Sequence, residues 1–537
     1  MTSPRLDAIT LELIWTRMIS IVDEAAASLV RTSFSTIVRE SNDFACVLTD
    51  ASGQSLAQAT DSIPSFINTV PRTIRHFLAE YPVDTLRPGD ILITNDIWMG
   101  TGHLPDITVA KPLFRGGRLV GFAGSVAHAP DIGGRQRSAD AREVFEEGLQ
   151  IPVMKVMTEG AMDRTFERIL RKNVREPDQV MGDLYAQFTA LQLIETRVGA
   201  LMAELGLDTL EDVAAEIHGR SETAMREAIR RVPEGTYRQS AISDGFAEPI
   251  VLEMAMTVKD GRITVDFAGS AAQVPMSINV CLAYTAAYTS YGVRAVLLPN
   301  VPNNEGVLRP IEVVAPSGSI LNSQPPAAGG ARALIGHFLP MMVIRALADA
   351  MPERVIATVG SPLWCVNLSG ARPGGGSFAN VFFMNGGYGA SHRRDGMNVL
   401  SWPSNISSTP VEMIEQISPL RVQYRRLRAD GGGAGRYRGG TGQEIKFSNH
   451  SAGPISVSFL AERTRPQAAA AGLAGGESGA PGEVLIDGKR SDPKTRHVVA
   501  PGGTIELRTP GGGGFGPPAE RAKQLSEADR LDGYVTR

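Results

Sequence analysis

Gly89-Asp90-Ile91-Leu92-Ile93-Thr94 runs into Asn95-Asp96-Ile97-Trp98-Met99-Gly100-Thr101-Gly102-His103-Leu104-Pro105-Asp106, and Leu119-Val120-Gly121-Phe122-Ala123-Gly124-Ser125-Val126 runs into Ala127-His128-Ala129-Pro130-Asp131-Ile132-Gly133-Gly134. Both stretches read as a strand that ends in a polar loop: a continuous apolar run, then the Gly, Pro, Asp and Asn that favour turns. Each loop carries a histidine followed within three residues by an aspartate. Divalent first-row metals take imidazole nitrogen and carboxylate oxygen, and a His-x-x-Asp pair beside Pro and Gly presents both from one turn. Ligands at the ends of neighbouring strands converge on one pocket. On spacing alone a second interpretation stands beside this one, because a histidine in an apolar strand is usually packed and Asp-Gly-Pro clusters are usually turns.

Outward from these loops, 537 residues that are 43% apolar and 20% charged suffice for a large core and more than one lobe. A net charge of -4 with interspersed signs leaves no basic stripe, so neither nucleic acid nor an anionic membrane surface is an expected partner. No apolar stretch reaches membrane-spanning length, and Met1-Thr2-Ser3-Pro4-Arg5 lacks the features of a signal peptide, so a cytoplasmic location is expected. Cys46, Cys281 and Cys365 form no CxxC pair and suggest neither a disulfide framework nor a thiolate metal site.

Apolar side chains at helical spacing predict a long amphipathic helix over Asp7 to Thr36 and another over Val70 to Glu80. Asp43 lies between them, at the mouth of a strand-like run that ends at Asp50. Residues 140–230 read as mainly helical, with segments at 141–148, 165–173, 182–205 and 209–229. Alternation over 251–258 and 262–267, with Lys-Asp-Gly-Arg between, predicts a hairpin; helices are predicted over 277–298 and 331–351. Beyond Val355 the pattern is β-rich and punctuated by the glycines that concentrate after residue 370. The expected fold class is α+β (mixed α/β): an N-terminal helix and metal-loop sheet, a central helical layer and a glycine-rich, β-rich C-terminal half. The expected units are 7–235, 236–518 and a polar tail over 519–537.

The glycine runs do not make a nucleotide site. No GxxxxGK[ST] occurs, and Gly511-Gly512-Gly513-Gly514-Phe515-Gly516 is followed by Pro517-Pro518 where a phosphate-binding helix would have to open. Gly431 to Gly442 mixes glycines with Arg436 and Arg438 and reads as a structural loop with exposed arginine. No G-x-S-x-G elbow is present.

Several segments together resemble the hydantoinase B/oxoprolinase family. They are Ser41-Asn42-Asp43-Phe44, Arg87-Pro88-Gly89-Asp90, Asn95-Asp96 with Gly102-His103-Leu104-Pro105-Asp106, and Ala127-His128 with Asp131-Ile132-Gly133-Gly134. Glu147-Gly148-Leu149, Asn173-Val174-Arg175, Gly433 to Gly440 and Thr509 to Gly516 extend the likeness over nearly the whole chain. The resemblance implies a metal-binding B-type subunit of a two-component, ATP-dependent enzyme that hydrolyses a cyclic amide of the hydantoin, oxoproline or lactam type. The alternative is the corresponding subunit of a ketone carboxylase of the acetone or acetophenone type, ranked behind the hydrolase, and a non-catalytic scaffold for an ATPase is the second alternative. The implied partner is a hydantoinase A-type, actin-like ATPase subunit that holds ATP and Mg²⁺ in a hetero-oligomer. Carried over by residue, the metal ligands are His103, Asp106 and His128, with Asp43 as a fourth, for Zn²⁺, Mn²⁺ or Fe²⁺. In a mechanism with a metal-bound water, a nearby carboxylate, Asp131 or Asp96, is the expected proton acceptor, beside a reading of both as turn and capping residues.

Overall fold

The structure, a computed structural model, describes residues 7–371 and 377–536. Its N-terminal region contains helices α1 (Ala8–Thr32), α2 (Thr36–Arg39), α3 (Pro64–Glu80), α4 (Arg164–Asn173), α5 (Pro177–Glu204) and α6 (Glu211–Arg230). Around them run strands β1 (Phe44–Asp50), β2 (Ser55–Gln58), β3 (Ile91–Thr94), β4 (Asp106–Arg115), β5 (Arg118–His128), β6 (Met154–Thr158) and β7 (Ala161–Met162). The Asp7 carboxylate caps α1 by accepting the N–H groups of Ile9 and Thr10 at 3.0 Å, donors that no helical carbonyl reaches. α1 stops short of the expected Thr36 because Asp183 of α5 accepts the N–H groups of Phe34 (2.7 Å) and Ser35 (3.0 Å) and holds the chain out of the helix. α3 begins earlier than expected, with Pro64 at its first turn, where a missing N–H costs nothing. Between 141 and 148 only a single 3-10 turn forms, at Val144–Glu146.

The seven strands make one antiparallel sheet in the order β2-β1-β5-β4-β3-β6-β7. Side chains alternate across it. Phe44, Cys46, Leu48, Ile107 and Val109 face α1 and α5, while Ala45, Val47, Ala110, Phe122 and Val126 face α3 and the second half of the chain. Both faces are apolar and covered, so a slip of one residue would bury the wrong set, and the register is fixed.

The middle of the chain adds β8 (Gly235–Ser243), β9 (Ile250–Lys259), β10 (Arg262–Asp266) and β11 (Ile311–Val314), a sheet in the order β11-β10-β9-β8 whose β10–β11 pair is parallel. Helices α7 (Leu282–Leu297), α8 (Glu305–Leu308), α9 (Ala333–Gly336) and α10 (Leu339–Ala346) pack with it. α7 starts five residues later than expected because the Asn279 side chain ties an extended loop, accepting from Val274 N–H and donating to the Val274, Met276 and Ala328 carbonyls. The helix expected over 331–351 is broken into α9 and α10, since Pro340 has no N–H to offer the Gly336 carbonyl.

Strands β12 (Trp364–Ala371), β13 (Ser377–Met384), β14 (Leu420–Leu427), β15 (Gln443–Asn449), β16 (Ile455–Leu460), β17 (Glu483–Ile486), β18 (Lys489–Arg490), β19 (Arg496–Val499) and β20 (Thr504–Arg508) follow, with α11 (Val411–Ile417) among them. They form two antiparallel sheets, β13-β12-β16-β19 and β14-β15-β20-β17-β18, that share the core of Trp364, Phe382, Phe447, Phe459 and Leu507. The glycine runs lie beside this sandwich as a layer of backbone on backbone. Gly440 N–H donates to the Tyr388 carbonyl (2.8 Å), Gly512 N–H to that of Gly440 (2.9 Å) and Gly433 N–H to that of Gly512 (2.9 Å). A Cβ on Gly440 would sit 1.9 Å from the Met397 oxygen, so the composition is set by strand-to-strand distance. From Ala519 the chain is not loose: α12 (Lys523–Leu531) docks through Asp529, whose carboxylate pairs with Arg438 (3.2 Å) and Arg521 (2.6 Å). No helix among the described residues is long and apolar enough to cross a membrane.

Candidate metal centre

Asp43 precedes β1, Asp106 opens β4 and His128 closes β5, and these three strands are adjacent in the sheet. Asp106 and His128 are direct cross-strand partners, so their side chains leave the same face. His128 N–H donates to the Asp43 carbonyl (3.1 Å), which continues the row by one strand. His103 reaches the same point from the β3–β4 loop, where Asp96 accepts the N–H groups of Trp98 (2.8 Å) and Met99 (3.2 Å). Gly102, at φ +95°, makes the bend that no other residue takes without strain. One nitrogen of each histidine and one oxygen of Asp106 lie within 4.8 Å of one another, and all three residues are buried.

His103 Nε2 and Asp106 Oδ1 stand 2.7 Å apart, misaligned for a hydrogen bond, and neither has any other partner. His103 Nδ1 faces the Gly330 carbonyl (3.2 Å) and His128 Nδ1 that of Ala129 (2.8 Å), so each Nδ1 carries the proton and each Nε2 presents a lone pair. Two buried lone pairs facing one another cost free energy unless a cation lies between them. Donors bound at about 2.1 Å stand roughly 3 Å apart, so this spacing fits a metal ion.

Electrostatics give the protonation states a metal requires. Burial, then Arg332, lowers the His103 pKa to about 4, and burial, then His103, takes His128 well below its usual value. Both imidazoles are neutral at pH 7. Burial would raise Asp106, but His103 and the Arg332 guanidinium reverse that and keep it ionised. Asp106 Oδ2 accepts from Thr101 Oγ1 and from Arg332 Nη2 (2.7 Å), leaving Oδ1 free. Asp43 is buried outside the 4.8 Å cluster, and burial together with Asp106 raises its pKa to about 8.

His128 opens onto a cavity of about 60 Å³ that Asp131, Arg137 and Glu147 also line. Asp131 is ion-paired with Arg175 (2.6 Å) and accepts its backbone N–H. The structure thus brings His103, Asp106 and His128 together and sets Asp43 beside them. It puts Asp131 on the adjoining cavity wall and engages Asp96 in its own turn. Three residues absent from the sequence-based set surround the cluster. Arg332 grips Asp106; Arg137 Nη1 lies 3.3 Å from His128 Nε2, and its Nε donates to the Gly330 carbonyl (2.9 Å). Glu147 accepts the Gly330 N–H (2.7 Å), which fixes the carbonyl that holds His103. The signal that could have found Arg332 is Gly329-Gly330-Ala331-Arg332, a glycine pair next to an arginine at the start of a predicted apolar helix.

The chain is similar to the putative B-type component of a D-/L-hydantoinase from Pseudomonas sp. (strain NS671), with 32% identity over 99% of this chain and 94% of that one. It superposes on the crystal structure of an ATP-dependent caprolactamase from Pseudomonas jessenii with a TM-score of 0.90 and 26% identity, covering 99% of this chain and 95% of the other. Acetone carboxylase in its nucleotide-free structure shares the fold, at a TM-score of 0.88 and 20% identity over 98% of this chain and 78% of that one. The profile of the hydantoinase B/oxoprolinase family matches residues 7–518. The chain belongs to the hydantoinase B/oxoprolinase family.

Proposed function

We propose that this chain is the metal-binding subunit of a two-component, ATP-dependent enzyme that hydrolyses a cyclic amide. The observation that carries the proposal is the unpartnered pair His103 Nε2 and Asp106 Oδ1 beside the lone pair of His128. His103, Asp106 and His128 hold a divalent ion, with Asp43 as the next donor in the row; neutral imidazole and carboxylate suit Zn²⁺, Mn²⁺ or Fe²⁺. When bound, such an ion polarises a carbonyl oxygen and lowers the pKa of a coordinated water toward neutrality.

The chain's own groups favour a negatively charged oxygen there. Arg332 is spent on Asp106 and Thr101. Arg137, whose contact to His128 Nε2 gives way to an ion, is left to donate to an oxygen in the cavity. Asp131, which lines that cavity and is paired with Arg175, is the carboxylate that accepts a proton in this reading, whereas Asp96 shapes the loop. The sequence carries no phosphate loop, which supports a reading in which an A-type, actin-like ATPase subunit holds ATP and Mg²⁺. The hydrolase assignment is favoured over ketone carboxylation because the hydantoinase and caprolactamase relatives are more similar in sequence than acetone carboxylase, which shares the fold.

Co-expression with a candidate A-type subunit tests this. ATP-dependent ring opening of a hydantoin, 5-oxoproline or caprolactam that needs both subunits and His103 is expected. Carboxylation of acetone or acetophenone without ring opening would replace the hydrolase assignment, and ATP hydrolysis by this chain alone would contradict the two-component one.

A further inference from the structure

A second cavity, of about 210 Å³, lies between α3, α7 and the segment that contains α8 and β11. Asn68, Arg72, Arg75, Ser290, Glu305 and Arg309 line it, so three guanidiniums face one carboxylate. The arginine pairs there are long: Arg75 Nη1 is 3.5 Å from Glu305, and Arg309 Nη1 is 3.5 Å from Glu222. Glu222 is itself held closer by Arg226, at 2.6 Å, and Arg309 Nη2 donates to Gln54 (2.6 Å). Arg72 makes no hydrogen bond or ion pair among the described residues, and the Ser290 hydroxyl likewise has no partner among them. Burial and then Arg75 push the Arg72 pKa below its usual value, and the Glu305 carboxylate only partly offsets them.

We infer that this cavity binds a phosphate-sized oxyanion, separately from the metal centre. A guanidinium is charged at every physiological pH and offers a planar fork of donors, and a tetrahedral oxyanion accepts from two such forks and a hydroxyl at once. The volume is below the roughly 300–1,000 Å³ of pockets for drug-sized ligands, which suits a phosphate or a small phosphoryl ester. The cavity wall also supports the metal loop. Thr73, next to Arg72 on α3, donates to the Met99 carbonyl (2.9 Å), and Cys281 at the start of α7 lies 4.0 Å from the Gly100 carbonyl. An anion bound to Arg72 therefore braces the two helices that position His103. The site rests on neither the metal nor the amide chemistry.

The probes are inorganic phosphate and glycerol 3-phosphate, titrated calorimetrically into the full chain carrying His128→Ala and treated with chelator, against chloride at matched ionic strength. Saturable one-to-one binding is expected, weakened about tenfold or more by Arg72→Met through loss of a charge-assisted fork. Tighter binding of the ester identifies a phosphorylated molecule as the source; equal or tighter binding of phosphate identifies the free ion. No saturable binding, or binding unchanged in Arg72→Met, overturns the inference. Should Arg72→Met not fold, Arg309→Gln, on a side chain 39% exposed, decides by the same criterion.

Discussion

Arg332 Nη2 donates to Asp106 Oδ2 across 2.7 Å, with the guanidinium 4% exposed and the carboxylate fully buried. Arg332 also donates through Nε to the Thr101 carbonyl and stacks its plane 4.4 Å from the Tyr284 ring centre. The pair joins the first sheet to the loop before α9 and turns Oδ1 of Asp106 toward His103. Arg332→Leu leaves a buried charge unpaired and should destabilise the chain by about 3–5 kcal/mol in urea titration. Arg332→Lys keeps the charge but loses the fork and should cost less. An unchanged unfolding midpoint in Arg332→Leu would remove Arg332 from the frame of the site.

Arg137 is expected to act on the substrate and not to hold the metal. Arg137→Met should lower kcat of the assembled enzyme by about 10²–10³ and leave metal content intact. Parallel loss of metal and rate would make it a structural support for His128.

The glycine layer gives a stability contrast. A Cβ on Gly512 would lie 2.2 Å from the Tyr388 oxygen, a backbone atom that cannot yield. Gly512→Ala should therefore abolish soluble expression. Gly199, within α5 and with nothing inside 4 Å of its Cβ position, is free of that constraint. Gly199→Ala should raise stability by about 0.5–1 kcal/mol. Equal solubility of the two variants would contradict the packing described.

His337 sets a pH dependence of stability. Leu363 N–H donates to its Nδ1 (3.3 Å), so Nε2 carries the proton toward Tyr288 (3.2 Å), and burial with Arg332 lowers its pKa to about 3. The unfolded chain protonates this side chain near pH 6.5 while the folded chain does not, so the unfolded state binds more protons between these values. Stability is lost as pH falls from about 6.5 toward 3, and His218, also lowered by burial, acts in the same direction. His337→Gln should narrow the gap between urea midpoints at pH 7 and pH 5. A gap equal to that of the wild type would show that His337 does not titrate in this way.

The candidate ligands were legible because His103, Asp106 and His128 sit at the ends of strands whose apolar runs are local features. What the sequence did not reveal was their register, since the pairing of Asp106 with His128 depends on the whole β4–β5 hairpin. Arg332 was invisible for a related reason: it lies 226 positions from Asp106, and only the folded chain brings the two together. Helix ends were misplaced where side chains intervened, as with Asp183 at the end of α1 and Asn279 before α7. The glycine runs carry no phosphate-loop motif, but their backbone layer is a long-range arrangement with no local signal.

Metal content of the purified full chain is the most direct test of the centre. After exposure to Zn²⁺, Mn²⁺ or Fe²⁺ and removal of free ion, wild type should retain about one ion per chain. His103→Ala and His128→Ala should retain almost none while keeping the wild-type circular dichroism spectrum. Full occupancy in both folded variants would contradict a centre built on His103, Asp106 and His128.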